Sequence, residues 1–277
     1  MNSPDESQLA AVTPFCRLDA PQLRAILDLA QVRQLPAGAV VYDEGQPARR
    51  FHLLMSGHIR IVRMTPEGDQ IILLHIPQGQ MFSIGAAIGQ ITHQATAVAV
   101  VDCVALSWPN ALWPVFAARY DGFCAETLRA FGAQSDEMSN RIVELSTKQV
   151  EQRIACALVR MIGQSGRKVT GGIEIGFPIT RQNIADMTGA TLHTVSRLLS
   201  AWEKQGLVAS TRCHIVVTDP HRMVMISGAA GIDRVEKPSI PAAAHCAYTT
   251  AAAAAACSSM RKAASSSRYS AQASVTV

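Results

Sequence analysis

Short apolar runs broken by glycines characterise the chain from Leu35 to about Leu106. The runs are rich in Val, Ile, Leu and Phe, and a turn residue follows roughly every ten positions. The glycines are Gly38, Gly45, Gly57, Gly68, Gly79 and Gly85. Runs of this length between glycine turns are typical of a small antiparallel β-structure. We therefore predict a β-rich domain over residues 1–114.

One hairpin in this region can be predicted in detail. The apolar runs HIRIVRM and QIILLHI flank the segment Pro66-Glu67-Gly68-Asp69. Glycine adopts positive φ at no steric cost, as a tight turn between two strands requires. The two runs are therefore expected to pair as antiparallel strands.

A different pattern follows Pro114, where large apolar residues recur at alternating intervals of three and four. The positions are Leu128, Phe131, Ser135, Met138, Ile142 and Leu145, with Ser135 as the polar exception. Such a narrow stripe is what a two-stranded coiled coil buries. The pattern predicts a helix over residues 115–147 that forms a dimer interface. The competing interpretation is a core helix lying on the β-domain, because about three heptads are a short run.

A second helix pattern opens the next predicted domain, residues 148–227. Its apolar positions are Val150, Ile154, Leu158, Met161 and Ile162, and it is expected to end at Gly163, before the turn-rich stretch QSGRKVTGG. Residues 228–277 are rich in Ala and Ser and lose the periodicity of large apolar residues. Such a segment cannot bury enough surface to offset its conformational entropy, so we predict a disordered tail.

The segment 178–205, PITRQNIADMTGATLHTVSRLLSAWEKQ, contains two short helix patterns around one glycine. Thr180 and Thr191 are suited to cap the two helices, and Gly189 is suited to a left-handed turn between them. The expected buried positions are Ile184, Ala185 and Met187, then Val195, Leu198, Leu199 and Trp202. The strands GLVAS and HIVVTD follow, so the order predicts a helix-turn-helix with a two-stranded wing. The alternative is a helical hairpin with an incidental polar face.

The exposed face of this unit carries the side chains that DNA recognition requires. Arg197 can bind guanine O6 and N7 with two hydrogen bonds, while Ser196 and His193 suit neighbouring base edges. Arg181 and Gln182 suit phosphate oxygens. The predicted DNA-binding residues are Arg181, Gln182, Thr191, His193, Thr194, Ser196, Arg197 and Ser200. In the wing, Arg212 and His214 are placed to approach the DNA backbone.

Composition narrows the classes of function. The net charge of +4 gives little support to DNA binding by itself, because most of the excess lies after residue 228. The seven cysteines are scattered without a CxxC pair, so we expect neither disulfides nor a zinc site. No apolar run is long enough to cross a bilayer and the N-terminus lacks signal-peptide features, so we expect a cytoplasmic protein with no membrane partner.

From residue 15 to about 227 the chain resembles the cyclic-AMP receptor protein and fumarate-nitrate reduction regulator family, CRP/FNR. The resemblance lies in LPAGAVVYDEGQPARRFHLLMSGHIRIVRMTPEGDQIILLHIPQGQMF and in ITRQNIADMTGATLHTVSRLLSAWEKQGLV. It implies an α+β protein with an N-terminal antiparallel β-roll of the cyclic-nucleotide-binding type. A long dimerisation helix and a C-terminal winged helix-turn-helix would follow the β-roll.

Two ligand signatures of the family are missing. Cyclic-nucleotide binders carry Gly-Glu, and about ten residues later Arg-Ser, where this chain has Ser83-Ile84 and Gln94-Ala95. Those positions therefore offer no cation for the phosphate and no carboxylate for the ribose. The oxygen-sensing branch binds an iron-sulfur cluster through N-terminal cysteines, whereas the first hundred residues here contain only Cys16. We expect neither cyclic AMP nor an iron-sulfur cluster.

The recognition helix also departs from the oxygen-sensing pattern Glu-x-x-Ser-Arg, because His193 stands before Ser196 and Arg197. The Ser-Arg pair indicates a TTG-type half-site, and the histidine resembles the nitric-oxide-responsive denitrification regulators. Relatives of that branch are thought to sense nitric oxide through haem, which makes haem a candidate cofactor here. The candidate ligands are His52, His58, His75, His93 and Cys103, each of which is also an ordinary packed or surface residue. None is assigned as a ligand.

These observations predict a homodimeric transcription activator that binds a palindromic operator and contacts RNA polymerase. Its signal would be nitric oxide or nitrogen-oxide status. The alternative within this class is an effector-independent or redox-cascade activator of the FixK type. An enzyme or another small-molecule-binding protein is the alternative outside it. No nucleophile-base pair, phosphate-binding glycine loop or HExxH motif supports catalysis.

Overall fold

The computed structural model describes residues 5–85 and 89–228. The first elements are α1 (Glu6–Ala10), a 3₁₀ turn (Thr13–Phe15) and α2 (Ala20–Asp28). Asp19 begins α2 by accepting a hydrogen bond from the Gln22 backbone N–H at 2.8 Å, while the Gln22 side chain accepts one from the Asp19 N–H. This reciprocal cap satisfies two of the donors that a helix start leaves open.

Eight strands follow and form two antiparallel four-stranded sheets. They are β1 (Gln31–Leu35), β2 (Val40–Tyr42), β3 (Arg50–Ser56), β4 (His58–Met64), β5 (Gln70–Pro77), β6 (Met81–Phe82), β7 (Thr96–Ala99) and β8 (Cys103–Pro109). The strand orders are β1-β8-β3-β6 and β2-β7-β4-β5. Leu54 and Phe82 from the first sheet pack with Ile59 and Ile76 from the second in one buried cluster. The sheets therefore enclose the core of a β-roll.

The hairpin predicted around Gly68 is confirmed. Strands β4 and β5 pair antiparallel from His58 opposite Pro77 to Met64 opposite Gln70. Gly68 has φ of +93° in the connecting turn. The turn glycine and the alternation of apolar residues together specify this register.

A second cluster lies on the outer face of the first sheet. Trp108 of β8 is fully buried there and donates from Nε1 to the Ile26 carbonyl oxygen at 3.0 Å. Phe15, Phe51, Phe116 and Phe123 pack around it. The N-terminal helices thus cover the apolar side of a sheet that would otherwise face water.

The prediction of one helix over residues 115–147 is wrong at its start. A 3₁₀ turn (Asn110–Leu112) leads into α3 (Trp113–Arg119), and a separate helix α4 covers Phe123–Thr147. Gly122, between them, has a left-handed φ of +79°, which a continuous helix excludes. The Asp121-Gly122 pair is a turn signal that outweighs the apolar periodicity on either side of it.

The C-terminal domain combines four helices with a third sheet. The helices are α5 (Val150–Ser165), α6 (Arg181–Thr188), α7 (Leu192–Lys204) and α8 (Pro220–Ile226). The strands are β9 (Gly166–Val169), β10 (Gly172–Ile175), β11 (Val208–Ser210) and β12 (Ile215–Val217), in the order β11-β12-β10-β9. The helix-turn-helix and the wing strands are confirmed.

Two details of that domain were predicted wrongly. Helix α5 continues past Gly163 to Ser165, and the stretch interpreted as a turn forms the hairpin β9–β10. The wing sheet is therefore four-stranded rather than two-stranded. Strand β9, GRKV, is exposed and lacks apolar alternation, and β10 shows it only over Ile173-Glu174-Ile175, which is too short to mark a strand in the sequence.

No helix in residues 5–85 and 89–228 is long and apolar enough to span a membrane. The Ala/Ser-rich tail predicted for residues 228–277 lies, after Gly228, outside the described residues.

Candidate nucleic-acid interface

Helix α6 and the following turn have the geometry that the sequence predicted. The Thr180 side chain accepts from the Asn183 N–H at 3.1 Å, and the Asn183 side chain accepts from the Thr180 N–H at 3.0 Å. Gly189 ends the helix with a left-handed φ of +61°. Ile184, Ala185 and Met187 are buried, as expected.

Helix α7 presents an amphipathic recognition surface. Val195, Leu199 and Trp202 are buried, and Leu198 packs partly buried against the same cluster. Trp202 Nε1 donates to Glu151 Oε1 at 3.2 Å, which ties α7 to α5. His193, Ser196, Arg197 and Ser200 occupy the opposite face at helical spacing.

Arg197 and His193 are the most available side chains on that face. Both are exposed, and neither has a hydrogen bond or ion pair with another residue of the described chain. Ser196 and Ser200 are half-buried beside them. A free guanidinium with small hydroxyl neighbours can reach base edges in a major groove without a bulky side chain in the way.

Arg181 and Gln182 lie at the start of α6 but are engaged within the protein. Arg181 Nη2 is 3.6 Å from Glu203 Oε1 and donates to Ser210 Oγ at 3.3 Å. Gln182 Nε2 donates to Asp186 Oδ1 at 2.7 Å. A phosphate contact by Arg181 would compete with its carboxylate partner.

Thr191 and Thr194 form the N-terminal cap of α7. The Thr191 hydroxyl accepts from the Thr194 N–H at 3.2 Å, and the two hydroxyl oxygens are 2.9 Å apart. Thr191 thus accepts a backbone hydrogen bond and fixes the first turn of the recognition helix. If Thr191 and Thr194 also contact DNA bases, as predicted, their hydroxyl groups must serve both the cap and those contacts.

The wing carries charge next to this surface. Arg212 and His214 are exposed at the turn between β11 and β12. His214 Nδ1 is 3.3 Å from Glu174 Oε1, and Arg167 Nη2 is 3.0 Å from Glu174 Oε2. Arg212 therefore offers its charge to solvent, while His214 shares a carboxylate with Arg167.

The apolar seam on α4 is largely uncovered in the single chain. Met138, Ile142 and Leu145 are 39%, 63% and 45% exposed. Leu128 and Phe131 are half-buried, and Phe131 packs against the cluster under the first sheet, whereas Ser135 is exposed. The second half of α4 thus presents large apolar side chains to solvent, in the pattern of an unpaired coiled-coil seam.

The β-roll is filled around Ser83, where cyclic-nucleotide binders carry their glycine. The Tyr42 and His93 rings stack at 3.7 Å, and the Ser83 hydroxyl donates to the Arg50 carbonyl oxygen at 2.9 Å. Ser83 has φ of +59°, a left-handed conformation that favours glycine. The arrangement supplies ring stacking and a hydroxyl, but no cation-carboxylate pair.

A small cleft lies beside the first part of α4. Its volume is about 140 Å³, and Met81 and Ile84 line one side, with Thr127, Phe131 and Gln134 on the other. This volume is below the roughly 300–1,000 Å³ of typical small-molecule pockets. No histidine or cysteine lines it.

The candidate haem ligands are packed elsewhere. His52, His58, His75 and Cys103 are buried, and His93 is half-buried against Tyr42. Burial lowers the pKa of His52 to about 3 and that of His58 to about 4. The His52 and His58 rings are therefore neutral near pH 7.

One structurally important residue escaped prediction. Arg141, on α4, donates to the carbonyl oxygens of Ile72 and Met187 at 2.9 Å each and also to that of Leu73. It therefore joins three elements that are distant in sequence. An arginine among other polar residues of a helix gives no sequence signal for such a role.

Comparison with known proteins agrees with this architecture. The family model of the Crp-like helix-turn-helix domain matches residues 152–226, and that of the cyclic nucleotide-binding domain matches residues 32–119. The two matches cover the β-roll and the C-terminal domain on either side of α4.

Two curated relatives are similar along most of their length. One is the CRP-like cAMP-activated global transcriptional regulator of Mycobacterium tuberculosis, 24% identical over 78% of this chain and 96% of the relative. The other is electron transport regulator A of Shewanella oneidensis, 24% identical over 80% of this chain and 88% of the relative. Among solved structures, FixK2 from Bradyrhizobium japonicum shares the fold with a TM-score of 0.65, at 22% identity over 73% of this chain and 99% of that chain.

The cap of α7 leads to a stability prediction. Replacing Thr191→Ala removes the acceptor for the Thr194 N–H and should lower the free energy of unfolding by about 0.5–2 kcal/mol. Urea unfolding followed by circular dichroism measures the loss. Thr191→Ser keeps the hydroxyl and serves as the control, and an equal loss in both variants would contradict the capping role.

Proposed function

We propose that the chain is a DNA-binding transcription regulator of the CRP/FNR type that binds a palindromic TTG-type operator as a homodimer, because models of the two domains typical of such regulators match residues 32–119 and 152–226. The observation that carries the proposal is the free face of α7. There Arg197 and His193 stand unpaired on a helix whose other side is locked into the core. As an activator it would contact RNA polymerase from the same DNA-bound position.

The seam on α4 supports the dimeric part of the proposal. Three large apolar residues in its second half are exposed in the single chain, and a second copy related by a two-fold axis would cover them. Two-fold symmetry places two recognition helices in successive major grooves. The operator half-sites should therefore lie about one helical turn apart.

Nitric oxide or nitrogen-oxide status is the proposed signal, on the basis of the His193-x-x-Ser196-Arg197 pattern. The second candidate is an activator without an effector, controlled by its own abundance. The small volume of the cleft beside α4, which is below that of typical small-molecule pockets, favours this second candidate. Each candidate predicts a different response to added ligands.

Anaerobic purification followed by absorbance spectroscopy separates the two candidates. Haem binding would produce a Soret band that shifts when nitric oxide is added, and operator affinity would change with it. Cyclic AMP is added in parallel and should leave operator affinity unchanged. No haem spectrum, together with equal operator affinity under all conditions, would favour the effector-independent activator.

Arg197 should determine sequence specificity. Replacing Arg197→Ala should cost about 1–3 kcal/mol on the specific operator and much less on random duplex DNA, because a bidentate guanine contact is lost. Fluorescence anisotropy at fixed salt measures both affinities. Arg222→Ala removes the same charge from an exposed position on α8 and should change neither affinity. If Arg197→Ala lowered the affinities for operator and random DNA equally, base readout would be contradicted.

Ile142 should be essential for the dimer. Replacing Ile142→Glu places a charge at the exposed seam, so the dimer should dissociate because a desolvated carboxylate without a partner is costly. Sedimentation velocity would then report the mass of a monomer. Asn140→Glu adds the same charge on another side of α4 and should leave the dimer intact. A wild-type protein that sediments as a monomer would contradict a dimer interface on this seam.

A further inference from the structure

The β-roll and the C-terminal domain share a buried apolar contact. Val62 of β4 and Ile72 of β5 belong to the same cluster as Ile184 and Met187 of α6. Both strand residues are at most 5% exposed. The outer face of the second sheet is thus covered by the first helix of the helix-turn-helix.

A pair of histidines and one phenylalanine extend this contact. The His58 ring stacks on the Phe177 ring at 3.7 Å with 14° between the planes, and the His75 ring lies 4.9 Å from Phe177. His58 Nε2 is 2.9 Å from His75 Nδ1, so one ring donates to the other. Phe177 stands a few residues before Thr180, the cap of α6, and the stack therefore fixes the chain entering the helix-turn-helix.

Arg141 provides the polar part of the contact. Its guanidinium donates to the carbonyl oxygens of Ile72 and Leu73 on β5 and of Met187 on α6. Met187 is two residues before Gly189, the turn into the recognition helix. One cation thus connects the dimerisation helix α4, the β-roll and the helix-turn-helix.

We propose that Arg141, His58, His75 and Phe177 form an interdomain latch that fixes the recognition helix relative to the dimerisation helix. Apolar packing alone is non-directional, whereas three hydrogen bonds from a planar guanidinium and a ring stack define one orientation. The inference rests on the proposed function, since a palindrome is read only when both recognition helices keep a fixed separation.

The two histidines should make the stability of the closed latch depend on pH. Burial lowers the pKa of His58 to about 4 and that of His75 well below its ordinary value, and His58, Arg141 and Arg60 lower the pKa of His75 further. Both rings are neutral when the latch is closed and would titrate near about 6.5 when released. The closed latch therefore loses stability as the pH falls below about 6.5 toward 4.

The groups around His58 and His75 also disfavour protonation of the two rings. Arg60 on β4 and Arg141 on α4 face His75, and both repel a second positive charge. Cys103 on β8 contacts the His58 carbonyl oxygen, and burial raises the pKa of its thiol, which keeps it neutral. No carboxylate of the described chain pairs with either histidine.

Hydrogen exchange followed by mass spectrometry tests the latch without DNA. Arg141→Met keeps the apolar stem but removes the three hydrogen bonds, and should increase exchange in residues 70–77 and 176–188. Arg129→Met is the matched control on α4, because Arg129 pairs with Glu126 on the same helix. Unchanged exchange in Arg141→Met would overturn the latch.

Operator binding tests its function. The probe is the palindrome that the wild-type protein selects from a random duplex library, compared with one of its half-sites. Arg141→Met should weaken palindrome binding about tenfold and leave half-site binding nearly unchanged, because only the palindrome requires both domains in register. Equal or stronger palindrome binding would overturn the latch, whereas failure of the wild type to select any sequence would instead refute the proposed function.

Lowering the pH is an independent test of the latch. Lowering the pH from about 7.5 to about 5.5 should reduce the ratio of palindrome to half-site affinity of the wild type. The double variant His58→Phe with His75→Leu keeps a ring on Phe177 but cannot be protonated, so its ratio should not fall; a fall equal to that of the wild type would contradict the acid dependence.

Discussion

An apolar cluster that crosses from strands β4 and β5 into the C-terminal domain holds the β-roll against the helix-turn-helix. Val62 and Ile72 pack in the same cluster as the buried residues of α6. The cluster also includes Val195 and Trp202 of α7. Burial of this kind is strong but non-directional. The orientation of the recognition helix therefore depends on the few polar and aromatic contacts at its edge.

The recognition helix illustrates how local and tertiary terms combine. Helices of 8 and 13 residues, such as α6 and α7, are marginal in isolation. The Thr180 and Thr191 caps satisfy backbone donors at their starts, and burial of Leu199 and Trp202 holds α7 to the core. The face with Arg197 is presented to solvent because the opposite face of the helix is buried in the core.

The second half of helix α4 contacts its own chain on one side and exposes apolar residues on another. Toward its own chain it presents polar residues: Arg141 reaches the β-roll, and Glu137 and Glu144 pair with Arg160 of α5. Away from that side, Met138 and Ile142 remain exposed. The second half of α4 meets its own chain through polar contacts, which leaves its apolar stripe available for a partner.

Features determined by nearby residues were predictable from the sequence alone. The turn at Gly68, the caps Thr180 and Thr191, the turn at Gly189 and the apolar periods of α7 each depend on local conformational preference or on one-face burial. The α+β class and the order of domains follow from these patterns together with the resemblance to the CRP/FNR family. The predicted roles of Arg197, His193 and the α4 seam rest on the same patterns.

Only the tertiary structure decided which distant groups meet. The β9–β10 hairpin depends on strand pairing, including the pairing of β10 with β12, that the local sequence pattern does not encode. Arg181 was predicted to contact phosphate but lies 3.6 Å from Glu203, and Arg141, for which no role was predicted, joins three elements. Hydrogen bonds and ring stacking need atoms within a few ångströms, and in this chain the partners lie far apart in sequence.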